Sequence, residues 1–74
     1  MATQNTALVL GATGGIGGEV AGALLARGWA VRALIRHEPP SDADHRIQWQ
    51  RGDAMDAQAV RRAAEGVGLI VHAV

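Results

Sequence analysis

Three glycines set three residues apart, Gly11, Gly14 and Gly17, restrict the folds open to this chain more than any other feature of its sequence. They fall in the run Gly11-Ala12-Thr13-Gly14-Gly15-Ile16-Gly17, and the flanks give that run its meaning. Before it, Thr6 to Leu10 (TALVL) is short, apolar and partly β-branched, the composition of a strand buried on both faces. After it, Ile16, Val20, Leu24 and Leu25 recur at helical spacing among alanines, and Gly28 follows as a left-handed C-terminal cap, so a helix is expected over 14–27. A strand that turns through glycines directly into a helix gathers backbone N–H groups and the positive end of the helix dipole at one point. Side chains there would keep a ligand away from the backbone. Such a turn suits a bulky anion held at backbone distance.

The rest of the chain repeats the alternation of strand and helix. Residues 30–36 (AVRALIR) read as a strand with Val31, Ala33 and Ile35 on one face and Arg32 beside Leu34 on the other. Residues 37–45 (HEPPSDADH) hold two prolines and three acidic residues, and predict an exposed loop with at most one helical turn. Residues 46–50 (RIQWQ) alternate polar with apolar, placing Ile47 and Trp49 on one covered face. Asp56 is a helix cap, Gly66 ends the helix 57–65, and residues 69–74 (LIVHAV) form a further buried strand. This order specifies an α/β fold: a parallel βαβ Rossmann-type half-fold of four strands in the order 3-2-1-4, one domain over residues 1–74.

A doubly wound dinucleotide fold runs to about six strands. The chain is therefore expected to be truncated after its fourth strand, as the N-terminal part of a longer domain. Leu69, Ile70 and Val71 would then lie on an unpaired apolar edge, through which the chain could self-associate.

Composition removes several function classes. Seven arginines balance seven acidic residues within 74, so no basic stripe points to nucleic acid. No apolar run is long enough for a membrane span, and the residues before the first strand lack the basic stretch and apolar segment of a leader, so a secreted protein is not expected. Cysteine is absent, which excludes disulfides and thiolate chemistry and suits a cytoplasmic protein. Lysine and tyrosine are also absent, so neither a Schiff-base lysine nor a tyrosine acid is available. A nucleotide-hydrolysing P-loop needs Lys and then Ser or Thr after its last glycine, whereas this sequence continues Gly18-Glu19.

What the glycine spacing does match, between a strand and a helix, is the pyrophosphate turn of a dinucleotide site. Gly11 would make the turn, Gly14 would admit the phosphates, and Gly17 would let the helix pack closely on the sheet. The bland alternative is a tight turn without a ligand. Cofactor choice is made at the end of the second strand, where an acidic residue would bond the ribose 2′-hydroxyl of NAD and an arginine would pair with the 2′-phosphate of NADP. Arg36 stands there, roughly twenty residues beyond the glycines as the fingerprint requires, with His37 as a further donor. NADP is favoured, and NAD is the alternative; a solvated strand-end arginine is the bland reading. Arg32, inside the strand, reads as structural. His37 and His45 have no third partner spaced to complete a metal site, and Trp29 and Trp49 read as packing.

The stretches VLGATGGIG, RGWAVRALIR, RGDAMDAQAV and AAEGVGLIVHAV resemble the short-chain dehydrogenase/reductase superfamily, in its extended and atypical (NmrA-like, epimerase/dehydratase-like) branch. The resemblance spans nearly the whole chain. It implies that Asp53 accepts from the adenine amino group, that Ala54 lies against the adenine ring, and that His72, Ala73 and Val74 run beneath the adenosine ribose. Asp53 as a turn or cap residue, and His72 packed against the sheet, are the alternatives. Family enzymes use a Tyr and a Lys four residues apart, and this chain has neither, so no catalytic residue is expected in it. Three functions follow: the dinucleotide-binding segment of an NAD(P)-dependent oxidoreductase or epimerase/dehydratase, a non-catalytic NADP-sensing regulator of the NmrA-like type, or a structural or flavodoxin-like βα fragment without a ligand.

Overall fold

The computed structural model describes residues 5–73. Its elements are β1 (Thr6–Leu10), α1 (Gly15–Ala26), β2 (Ala30–Ile35), β3 (Ile47–Arg51), α2 (Ala57–Ala63) and β4 (Leu69–His72). The strands form one sheet in the order β3-β2-β1-β4, and every pairing is parallel. This is the Rossmann-type half-fold that the alternation of strands and helices implies.

β1 lies between β2 and β4, and Ala7, Leu8 and Val9 are fully buried. Side chains alternate across a strand, and the two faces of the sheet are filled accordingly. Leu8, Leu10 and Leu34 pack against Ala59 and Ala63 of α2. Val9, Val31 and Ala33 pack against Ala21, Leu24 and Leu25 of α1, with Ile47 and Trp49 beside them. The helices therefore cover opposite faces, and the shared face expected for Ile47 and Trp49 is the α1 face.

The buried stripe of α1 differs from the one that hydrophobic spacing predicts. Its buried residues are Gly17 and Ala21, whereas Ile16 is 74% exposed. The cause is a close approach: a Cβ on Gly17 would lie 2.6 Å from the carbonyl carbon of Gly11. With the helix drawn this near to the turn, only a small residue fits at Gly17, Leu24 and Leu25 reach the sheet further along, and Ile16, one position away, is rotated outward.

Element ends shift by one or two residues from those expected. β2 stops at Ile35, so Arg36 stands just beyond the strand; β3 runs from Ile47 to Arg51; α2 ends at Ala63. Gly28 and Gly66 follow the two helices with φ of 85° and 75°, as the cap signals require. Asp56 caps α2, its carboxylate accepting from the Gln58 N–H at 3.0 Å. The strand expected over 69–74 is less buried than its composition implies: Leu69 is 39% and Ile70 50% exposed. Among the described residues β4 pairs only with β1, so only one of its edges is covered. Val74 lies outside the described residues.

No helix forms between β2 and β3. Pro40 accepts from the Ala43 N–H, and Asp44 organises the return to β3. One Asp44 carboxylate oxygen accepts from the Arg46 backbone and side chain, the other from the Arg46 guanidinium at 2.7 Å, and the Asp44 carbonyl accepts from Trp49 Nε1. These Arg46 hydrogen bonds hold the Asp44 carboxyl down to about 2.

Arg32 is structural, as its place in the strand predicts. Its guanidinium donates to the carbonyls of Ala63 at 2.6 Å and Glu65 at 2.9 Å. A helix leaves its last carbonyls without partners, and here a strand residue supplies the donors, tying the end of α2 to β2. Replacing Arg32 by Met keeps the aliphatic stem and removes the donors. The expected loss is about 1 kcal/mol, read as a lower urea midpoint at an unchanged slope.

Candidate nucleotide-binding site

The carboxyl ends of all four strands meet at a cleft of about 330 Å³. In an open α/β sheet this is the edge on which ligands bind. β1 contributes Gly11 and Thr13, β2 contributes Arg36 and His37, the turn after β3 contributes Asp53 and Ala54, and β4 contributes His72. Seven of the thirteen residues singled out in the sequence thus line one cavity, although they span the chain from position 11 to position 72.

Of the glycine turn, Gly11 and Thr13 line the cleft; Ala12, Gly14, Gly15, Ile16 and Gly17 do not. Gly11 has φ of 89°, a conformation that residues with a Cβ rarely adopt, and its carbonyl accepts from the Gly14 N–H at 3.0 Å. Gly14 and Gly15 are exposed at the start of α1, where no side chain caps the helix and no acidic residue stands in the first turn. α2 is capped by Asp56, so the two helices of this chain are treated differently. An open helix start presents unpaired N–H groups and a positive dipole end. Gly17 acts through packing, as described above. Ala12 lines a second, smaller hollow of about 220 Å³ between α1 and the 37–46 loop, which shares Thr13 with the main cleft.

Arg36 and His37 are exposed at the rim. The described residues make two ion pairs, Arg46–Asp44 and Arg51–Glu38, and Arg36 is in neither. Asp53 does what its bland reading requires: one carboxylate oxygen accepts from the Met55 N–H at 2.9 Å, and its carbonyl accepts from the Asp56 N–H. It lines the cleft at the same time. His72 is exposed at the cleft rather than packed against the sheet, because β4 is an outer strand. Ala73 continues the β4 ladder, donating its N–H to Leu10 at 2.8 Å.

Four lining residues lie outside the set chosen from sequence: Leu34, Ile35, Gly52 and Met55. Gly52 had a signal, as the glycine that ends β3; a Cβ there would come within 2.8 Å of Leu34 Cδ1. Met55, 88% exposed at the lip, had none.

A family model described as NAD(P)H-binding matches residues 11–74. The chain belongs to this NAD(P)H-binding family. The match begins at Gly11, the first residue of the turn, and runs through the three loops that meet at the cleft. The sterol demethylase protein B of Methylococcus capsulatus is 44% identical over 69 residues, which cover 90% of this chain and 21% of that protein. Among solved structures, a proposed epimerase from Burkholderia cenocepacia superposes with a TM-score of 0.77 at 31% identity, over 95% of this chain and 25% of that one. A uronate dehydrogenase from Agrobacterium tumefaciens, solved as a complex with NAD, gives 0.73 at 27% identity, over 96% and 26%. The chain is thus an NAD(P)-binding segment of the kind found in oxidoreductase- and epimerase-like proteins, and it spans about a quarter or less of these relatives.

Proposed function

We propose that this segment binds the adenosine and pyrophosphate half of NADP, in preference to NAD, as the N-terminal part of a larger dinucleotide-binding domain. The observation that carries the reading is that Gly11 and Thr13 of the glycine turn and Arg36 line one cleft, with the α1 start that follows the turn uncapped and Arg36 in neither ion pair of the described residues. The helix start and the turn from Gly11 to Gly17 would hold the pyrophosphate on backbone N–H groups. Arg36 would take the 2′-phosphate, with His37 beside it. Asp53 would offer its second carboxylate oxygen to the adenine amino group, Ala54 would lie against the ring, and His72 and Ala73 would run under the ribose. The cofactor would supply hydride chemistry at its nicotinamide; the residues of this chain would bind and orient its other end. Tyr and Lys are absent from the chain, so the reading assigns it no catalytic residue.

Calorimetric titration of the chain with NADP, NAD and 2′,5′-ADP tests this. NADP and 2′,5′-ADP are expected to bind with similar affinity, and NAD roughly tenfold more weakly, the worth of one charge-assisted contact in water. Equal affinity for NAD and NADP would overturn the NADP assignment, and heat from none of the three would overturn the site.

A further inference from the structure

The end of β2 carries one more charged arrangement. Arg51, the last residue of β3, is the cross-strand partner of Ile35, and the ladder closes with the Gly52 N–H donating to the Ile35 carbonyl at 2.8 Å. Arg51 therefore stands next to the residue that precedes Arg36. Glu38, two residues after Arg36, accepts from the Arg51 guanidinium at 2.9 Å across thirteen positions of sequence. Two arginines, Arg36 and Arg51, one histidine, His37, and two carboxylates, Glu38 and Asp53, thus share this end of the sheet.

Both partners of the pair are largely in water, Arg51 at 65% and Glu38 at 81% side-chain exposure. An ion pair so exposed contributes little to stability, and it exchanges partners readily. A phosphate monoester carries nearly two negative charges and three acceptor oxygens, and it outcompetes a single carboxylate for a guanidinium. A ribose hydroxyl carries no charge and does not.

We infer that Glu38 and Arg51 set the NADP-to-NAD ratio of this site: Arg51 is a second guanidinium for the 2′-phosphate, and Glu38 is the counter-ion that this phosphate displaces. The inference rests on the proposed NADP reading. Glu38 lowers the positive charge that meets the phosphate, so it weakens NADP binding and leaves NAD untouched. Arg36 and Arg51 would approach the phosphate from neighbouring strands.

The test is calorimetric titration of NADP and NAD into the unmodified chain, Glu38→Gln, Arg51→Gln and the double variant, at two salt concentrations, with circular dichroism to check folding. Glu38→Gln is expected to tighten NADP about threefold and Arg51→Gln to weaken it about fivefold, with NAD constant; both effects are of the size that screened surface charges give. The double variant should bind NADP no tighter than Arg51→Gln alone, since the Glu38 carboxylate acts on the phosphate through the Arg51 guanidinium with which it pairs. Single variants that leave the NADP-to-NAD ratio unchanged, or a double variant that binds NADP tighter than Arg51→Gln alone, would overturn the inference while the site reading stands. An unmodified chain without preference for NADP would overturn the reading beneath it.

Discussion

Gly17→Ala is expected to abolish nucleotide binding and to remove a large part of the stability of the fold. The added methyl would fall on the Gly11 carbonyl, 2.6 Å from its carbon and 3.2 Å from Ala12 Cα. Both neighbours are backbone, so no side chain can turn aside to make room. Gly11 cannot yield cheaply either, because its φ of 89° and its hydrogen bond to Gly14 define the turn. α1 must therefore move away from the sheet, and its contacts through Ala21, Leu24 and Leu25 loosen with it. Overpacking of this kind costs about 1–3 kcal/mol, a large share of the stability of a small domain. Urea unfolding followed by circular dichroism measures the first effect, and NADP titration of the folded fraction measures the second. Gly22→Ala is the control on the same helix: a Cβ there meets nothing within 4 Å, and replacing glycine by alanine inside a helix is favourable by up to about 1 kcal/mol. A Gly17→Ala chain as stable as the unmodified one would show that α1 does not rest on the turn as described.

The contrast between Gly17 and Ile16 shows what was legible in the sequence and what was not. Features set by local chemistry were readable in full: β1 over Thr6–Leu10, the Asp56 cap, and the glycines that end both helices. So was the strand order, because alternating strands and helices with a glycine turn leave few topologies open. The buried face of α1 was not, since hydrophobic spacing records which residues are apolar and not how near the helix lies to the sheet. For β4 the composition implies burial, whereas the strand count implies an unpaired edge at Leu69, Ile70 and Val71; the second agrees with the exposure found among the described residues. In the cleft, Arg36 could be named from its place at a strand end, and Asp53 from the family resemblance alone. Met55 and the Glu38–Arg51 pair could not, because they depend on register and on the path of a loop that has no period of its own.

Arg36→Gln should lower NADP affinity by roughly 10- to 30-fold, with NAD affinity unchanged. A hydrogen bond to a charged group is worth about 1.5–3 kcal/mol, and each 1.4 kcal/mol is about a factor of ten. Arg36 is exposed, which places the effect toward the lower end of that range. Glutamine keeps the first part of the stem and a capacity to donate but ends two atoms short of the guanidinium nitrogens, so the loss reports the charge, the fork and the reach of the guanidinium together. Fold stability should not change, because Arg36 lies beyond the last residue of β2 and takes part in neither ion pair of the described residues. Arg36→Asp carries the test further. A carboxylate there repels the 2′-phosphate and can accept from the free 2′-hydroxyl of NAD, so the preference should reverse. Titration of both variants with both cofactors, repeated at higher salt, separates the contributions: the NADP loss of Arg36→Gln should shrink as salt screens the phosphate, and NAD binding should not follow it. If Arg36→Asp left NADP favoured, the discrimination would have to rest on a residue other than Arg36, with Arg51 the candidate proposed above.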